Sequence, residues 1–391
     1  MLSKNFILNP KNSAPDNIGA FAYPYFSLVF GLILFLLSAL SIRAEETAYI
    51  TPTFVRVITS PFEQYNDVNP DWSTDGEIIS FERYDMNQHD IILANKDGKK
   101  LQTITTNVKK EADLDFLFSP VDELMAYNTG ISWSSNKSEF VFVSSGKTGN
   151  FDLFIGKVGT EKTRRLTFHA LKDNQAHWSP MEDNILFISA RDGNAGLYMI
   201  DAQNGNMVQL LGQNYKSLHP VWSPDGKNIA LMIGEEDSYH IYVINDINNP
   251  QESLIRISNN SHHNIRPSWS PDGNQIAYFS ADENNRWNIS ITKLHSETVK
   301  EEIVATDVIQ NSNKGPTWLP DSINIAYIKN EINSYNPIYI VDTVRKQNGL
   351  FLTNTKMNLD LSCSKNGLLV FQSQDRQWSR IFIAGIPGFK G

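Results

Sequence analysis

Two of the eight histidines, His177 and His219, stand one and three residues ahead of a tryptophan. Arg266 stands three ahead of Trp269, and Lys314 four ahead of Trp318. Asp71 and Asn174 occupy comparable places before Trp72 and Trp178. Polar side chains at recurring distances from a tryptophan make a candidate binding set. The cations among them suit a carboxylate or an acidic peptide end through charge-assisted hydrogen bonds. Other chemistry is incomplete. Gly146-Lys147-Thr148 has Val141 where a phosphate-binding loop needs glycine, so it reads as a solvated hairpin. There is no Gly-x-Ser-x-Gly elbow, no His-Glu-x-x-His, no His-x-His and no acidic calcium loop. The single cysteine, Cys363, excludes an intramolecular disulfide framework and a Cys-rich zinc site. No catalytic residue, metal or cofactor is therefore expected.

The elements that position this set come from a repeat. Pro220-Val-Trp222-Ser-Pro-Asp-Gly226-Lys-Asn-Ile229-Ala-Leu231 recurs as Pro267-Ser-Trp269-Ser-Pro-Asp-Gly273-Asn-Gln-Ile276-Ala-Tyr278, with looser copies at Trp72, Trp133, Trp178 and Trp318 and a degenerate one at Cys363. Spacings between these anchors are 61, 45, 44, 47, 49 and 45 residues. Apolar residues stand seven and nine positions after each tryptophan, as in Ile229 and Leu231, and so share one face of a strand. Ser-Pro-Asp-Gly is a turn: Pro presets φ, Asp bonds local backbone and Gly tolerates positive φ. Two further strand-like runs complete each unit, for example Leu197 to Ile200 and Val208 to Leu211.

Four short strands per 45 or so residues is the pattern of a propeller blade. The fold is expected to be all-β: a β-propeller of seven four-stranded blades, with six or eight as alternatives. The seventh unit lacks its fourth strand, while Phe54–Ser60 is an orphan strand ahead of the first unit. That strand is expected to complete the last blade and close the ring. Val108 to Tyr127 reads as an insertion between the first two blades. Trp287 and Trp378, outside the repeat position, read as cover for blade edges, with sugar stacking as the other use of such rings. In this architecture the first strand of each blade lines the central channel with its start at one rim. Asp71, Asn174, His177, His219, Arg266 and Lys314 are then expected to meet in a polar funnel there.

The Trp-Ser-Pro-Asp-Gly repeat followed by Ile-Ala-Tyr/Phe resembles the WD-like propeller repeat of the TolB family, a periplasmic part of the cell envelope, over most of residues 55–384. Similar repeats occur in propellers of prolyl-oligopeptidase-type peptidases and of oligogalacturonate lyases. TolB carries an α/β domain before six blades, so the resemblance is to its propeller. It implies a non-catalytic exported scaffold that binds a protein partner or peptide end. The alternative is a carbohydrate-binding or carbohydrate-active propeller using the same funnel.

The N-terminal segment supports export. Phe26 to Leu40 is an uncharged apolar run whose end, Ala39-Leu40-Ser41, offers small residues at the two positions a signal peptidase reads, before a polar start at Arg43. Residues 1–44 read as a signal peptide, or as an inner-membrane anchor through residues 24–42 if uncleaved. Residues 45–391 then form a single propeller domain, periplasmic or exported and monomeric. A formal net charge of −9 argues against nucleic acid as a partner.

Overall fold

The computed structural model describes residues 48–60, 62–84, 89–106, 130–136, 138–145, 150–160, 162–294, 300–331, 336–375 and 377–389. These fall in one compact unit, Thr47–Gly391. The leader, the 108–127 insertion and Gly146-Lys147-Thr148 lie outside the described residues. Among the described residues no helix is long and apolar enough to cross a membrane.

The strands sort into seven sheets, so the chain is a seven-bladed propeller. Each blade begins with a strand that ends on its anchor: Asn66–Trp72, Ser132–Trp133, Asp173–Trp178, Ser217–Trp222, Asn264–Trp269, Thr317–Trp318 and Asn358–Cys363. The turn then behaves as its composition requires. In blade 4, Ser223 Oγ donates to Asp225 Oδ1 at 2.6 Å, and the Gly226 N–H closes the turn on the Ser223 carbonyl at 2.9 Å. Gly226 sits at φ +69°, and a Cβ there would meet Met181 of the preceding blade's turn at 3.0 Å. Glycine is thus needed both for the backbone and for the close approach of neighbouring turns.

After the turn, each tryptophan pairs with the apolar residue seven positions on, as Trp222 does with Ile229 and Trp269 with Ile276. Blade 7 keeps this pairing with one residue fewer: Cys363 faces Leu369. Ile79, Phe140, Ile185, Ile229, Ile276 and Ile325 are all fully buried. The core is accordingly a circle of clusters at the seams between blades. Trp133 of blade 2 packs among Ile91, Leu93 and Ile104 of blade 1, and Trp72 of blade 1 among Leu368 and Ile383 of blade 7. A four-stranded sheet cannot bury both faces alone, so neighbouring blades stabilise one another.

Closure follows the expected route. Strand β2 (Val55–Val57) lies antiparallel on Trp378–Gly385, with Val55 opposite Ala384 and Val57 opposite Phe382, and supplies the fourth strand of blade 7. The sequence did not reveal a second strap just upstream. Strand β1 (Ala48–Ile50) adds in parallel to the outer strand Gln347–Phe351 of blade 6. One short segment therefore ties blades 6 and 7 together. Buried Arg380 fastens the next seam, between blades 7 and 1, donating to the carbonyls of Tyr65 at 2.7 Å and Glu63 at 2.5 Å in the linker into blade 1.

Trp287 and Trp378 are both half-buried. Trp287 packs against the cluster shared by blades 4 to 6.

Candidate functional site

The innermost strands do not run straight to their anchors. In blades 1, 3, 4, 5 and 7 the register with the next strand slips just before the anchor. The residue three before the anchor is left-handed in each: Asn69, Gln175, His219, Arg266 and Asp360, with φ between 47 and 54°. Such a bulge re-aims a side chain, and a non-glycine residue holds this conformation only at a cost of about 1 kcal/mol or more. Blades 2 and 6 carry Gly130 and Gly315 at this place.

A cavity of about 530 Å³ occupies the channel from these bulges to the turns beyond the anchors. Its mouth is formed by Thr74, Pro180, Pro224 and Pro271, its wall by the six anchor tryptophans, and its floor by Gln175, His219, Arg266 and Lys314. The funnel therefore opens on the Ser-Pro-Asp-Gly face, at the ends of the first strands and not at their starts as expected. From bulge to anchor is three residues of strand, about 10 Å of path.

Of the six residues singled out in the sequence, Asp71, His177, His219, Arg266 and Lys314 line this cavity. Asn174 does not; it pairs in register with Ile188, and Gln175 takes the place in the floor. The interval that selects His219 and Arg266 from their anchors also selects Gln175, so the signal was present.

The cations are not a free arc. Lys314 Nζ lies 2.8 Å from Asp71 Oδ1 and donates to the Pro70 carbonyl at 3.0 Å. Ser362 Oγ donates to the same carboxylate oxygen at 2.6 Å. Lys314 thus reaches from blade 6 past blade 7, where Cys363 replaces the bulk of a tryptophan, to blade 1. Arg266 Nη1 donates to Gln310 Oε1 at 2.6 Å and to the Asn311 carbonyl at 2.8 Å. Burial lowers Arg266 to about 10, opposed by Asp360, whose own carboxyl burial pushes up.

The opposite side of the channel is less saturated. Gln175 Oε1 accepts the His219 backbone N–H at 2.7 Å. Among the described residues Gln175 Nε2, His177 Nδ1, His219 Nε2 and Arg266 Nε have no hydrogen-bond partner, nor do the indole nitrogens of Trp72, Trp133, Trp178 and Trp222. Burial brings His177 down to about 4 against the pull of Asp71. Burial, then the charge of Arg266, brings His219 down to about 3. Both rings are neutral near pH 7. Cys363, also in the wall, is pushed up to about 12 by burial, which disfavours a reactive thiolate. Among the described residues no group of three or more His, Cys, Asp or Glu side chains is arranged to hold a metal ion.

Residues 208–388 match the family described as the TolB beta propeller domain. The ring is a TolB-like β-propeller. Among solved structures, TolB from Acinetobacter baumannii is similar at TM-score 0.51 and 15% identity, over 81% of this chain and 65% of that one. Oligogalacturonate lyase from Vibrio parahaemolyticus is similar at TM-score 0.61 and 16% identity, over 88% of this chain and 96% of the lyase. An Agrobacterium fabrum protein described as uncharacterized is 27% identical over 114 residues, which is 26% of this chain and 39% of that protein. The chain thus spans less than two thirds of both the Agrobacterium protein and the Acinetobacter TolB. At these identities the structural likeness is one of fold, and fold does not select a function.

Two buried histidines, His219 and His240, and the half-buried His177 make stability depend on pH. His177, His219 and His240 have folded values of about 4, 3 and 4 against an ordinary 6.5. A group lowered on folding is neutral in the ring and takes up a proton on unfolding, so its contribution is complete above pH 6.5 and is lost as pH falls toward the folded value. Three such groups give a slope approaching about 4 kcal/mol per pH unit below pH 6. Chemical denaturation at pH 7 and pH 5 should show the loss; equal stability at both would contradict rings held neutral by the fold.

Proposed function

We propose that this chain is a non-catalytic β-propeller of the cell envelope that docks a protein partner by taking a segment or chain end into the channel from the Ser-Pro-Asp-Gly face. Residues 1–44 direct it out of the cytoplasm, either as a cleaved leader or as an inner-membrane anchor, and residues 45–391 act as one monomeric propeller domain. The observation that supports this reading is the shape and chemistry of the cavity. A mouth of short turns and prolines leads past a wall of indoles to a floor of hydrogen-bonding groups, which suits an extended chain with both apolar and polar parts. Rigid strands hold that surface in place, so little is lost to ordering on binding. The uncharged apolar run Phe26 to Leu40 supports the envelope setting.

The sequence-derived rim enters this reading in altered form. Gln175, His177, His219 and Arg266 face the partner, whereas Asp71 and Lys314 hold the seam. Thr74 and Pro224 are exposed at the mouth. Replacing both with tryptophan should block the funnel without touching the core. Affinity capture from cross-linked envelopes should return a partner with the native chain and lose at least nine-tenths of it with the blocked one. Equal recovery from both would sink the reading. A carbohydrate-binding or carbohydrate-active ring would instead reveal itself by a glycan-dependent rise in melting temperature abolished by the same block.

A further inference from the structure

We infer that the floor of the channel is a carboxylate-binding subsite formed by Gln175, His219 and Arg266. The inference rests on the docking reading above and names the group that the site reads. It begins with what internal pairing leaves over. Lys314 is spent on Asp71 and the Pro70 carbonyl. One guanidinium nitrogen of Arg266 is spent on Gln310 and Asn311. Gln175 Oε1 is spent on the His219 backbone. What remains on the floor is Gln175 Nε2, Arg266 Nε and His219 Nε2.

The first two can only donate, and the third donates in its Nε2–H form. Gln175 and His219 are each 8% exposed, so their unmet bonds are not relieved by bulk water. They belong to consecutive blades, and all three line one cavity. A group that brings acceptors and no donors is therefore favoured. An amide would add N–H groups to a floor already rich in them. A carboxylate offers two acceptor oxygens and a charge that Arg266 complements, in competition with the Asp360 carboxyl that already interacts with it.

Backbone geometry points the same way. All three side chains sit on left-handed residues at the same place in their blades. That strained conformation turns them to the channel in blades 3, 4 and 5, on the side away from the Lys314–Asp71 pair. Beyond them the indoles of Trp178, Trp222 and Trp269 line the cavity and would hold the body of the acid. The shared chemistry is a carboxylate on an apolar body, whether a free aromatic acid or the C-terminus of a chain.

The test uses the full chain and calorimetric titration with three probes: an acetylated tetrapeptide ending in phenylalanine, the same peptide as its C-terminal amide, and benzoate. The acid peptide should bind about tenfold or more tightly than its amide. Tighter binding of the peptide than of benzoate identifies a chain end as the source, and equal binding a small acid; either supports the subsite. Gln175→Glu keeps the acceptor for the His219 N–H but sets a second carboxylate in the floor, and should abolish binding of both acids. His219→Gly relieves the left-handed strain, so the melting temperature should hold or rise while acid affinity falls about tenfold. Equal binding of acid and amide peptides, or no binding of either acid, overturns the subsite, with ordered water then satisfying the floor. Partner capture that survives such a result would show that the docking reading stands without it.

Discussion

A chain lacking residues 48–57 should melt about 10 °C or more below the full chain and aggregate as it does so. The deletion removes β1 from blade 6 and β2 from blade 7. With them go the hydrogen bonds from Thr53 N–H to the Gly385 carbonyl at 2.9 Å, from Gly385 N–H to the Phe54 carbonyl at 3.1 Å and from Leu352 N–H to the Ile50 carbonyl at 3.0 Å. Counting the strand ladder as well, five or so bonds at about 1 kcal/mol each are lost. Ile50 and Val55 also leave the cluster around Phe351, Phe371 and Ile386. Two blade edges then face solvent, and open edges pair with other chains. A scanning melt of both proteins decides the matter. An unchanged transition would mean that the ring closes by other contacts.

Gly315→Ala should destabilise the ring by about 3 kcal/mol or more, although it adds a single methyl group. A Cβ at Gly315 would lie 2.4 Å from the Arg266 carbonyl oxygen, 2.7 Å from Ser268 Cβ and 2.9 Å from the Pro267 carbonyl carbon. Most of these are backbone atoms of the strand that carries Trp269, so relief requires blade 5 to move away from blade 6. The site shares in the damage, because Arg266 belongs to the displaced strand. Gly130 provides the control. It stands at the same place in blade 2, and among the described residues a Cβ there meets nothing within 4 Å. Gly130→Ala should change stability by less than about 0.5 kcal/mol. Equal denaturation midpoints for the two variants would refute the close packing of blades 5 and 6.

These two variants probe the parts of the molecule that differed most in how legible they were. The closing strand was readable because the seventh unit ends one strand short and Val55-Arg-Val57 has the alternation of the missing one. The upstream strap was not, since Ala48-Tyr49-Ile50 is too short to show a period and joins its neighbour in parallel, which local pattern does not encode. The anchors were readable because a turn with fixed chemistry separates each tryptophan from a buried apolar pair. Blade 7 was harder, with Cys363 at the anchor and a turn one residue shorter.

The channel floor was half readable. Spacing from the anchors pointed to His219 and Arg266. A slip of one residue put Asn174 where Gln175 belongs, because asparagine is the more usual residue at a left-handed position and residue type pointed to it. Which end of the first strands carries the cavity depends on packing between blades. The Lys314–Asp71 pair joins residues from blades 6 and 1, and no local pattern relates them. What read as two cations free to bind is one cation committed to the seam and another partly committed.

The most direct test of the docking claim is site-specific photo-crosslinking of the full chain in living envelopes, from Thr74 at the mouth and from Ile255 on the outer strand of blade 4. Both positions are exposed, so both probes are presented to whatever surrounds the ring. A discrete adduct from Thr74, with none from Ile255, is the predicted result. Adducts from Ile255 with none from Thr74 would contradict it, placing the partner on the rim of the disc and leaving the channel without a role in docking.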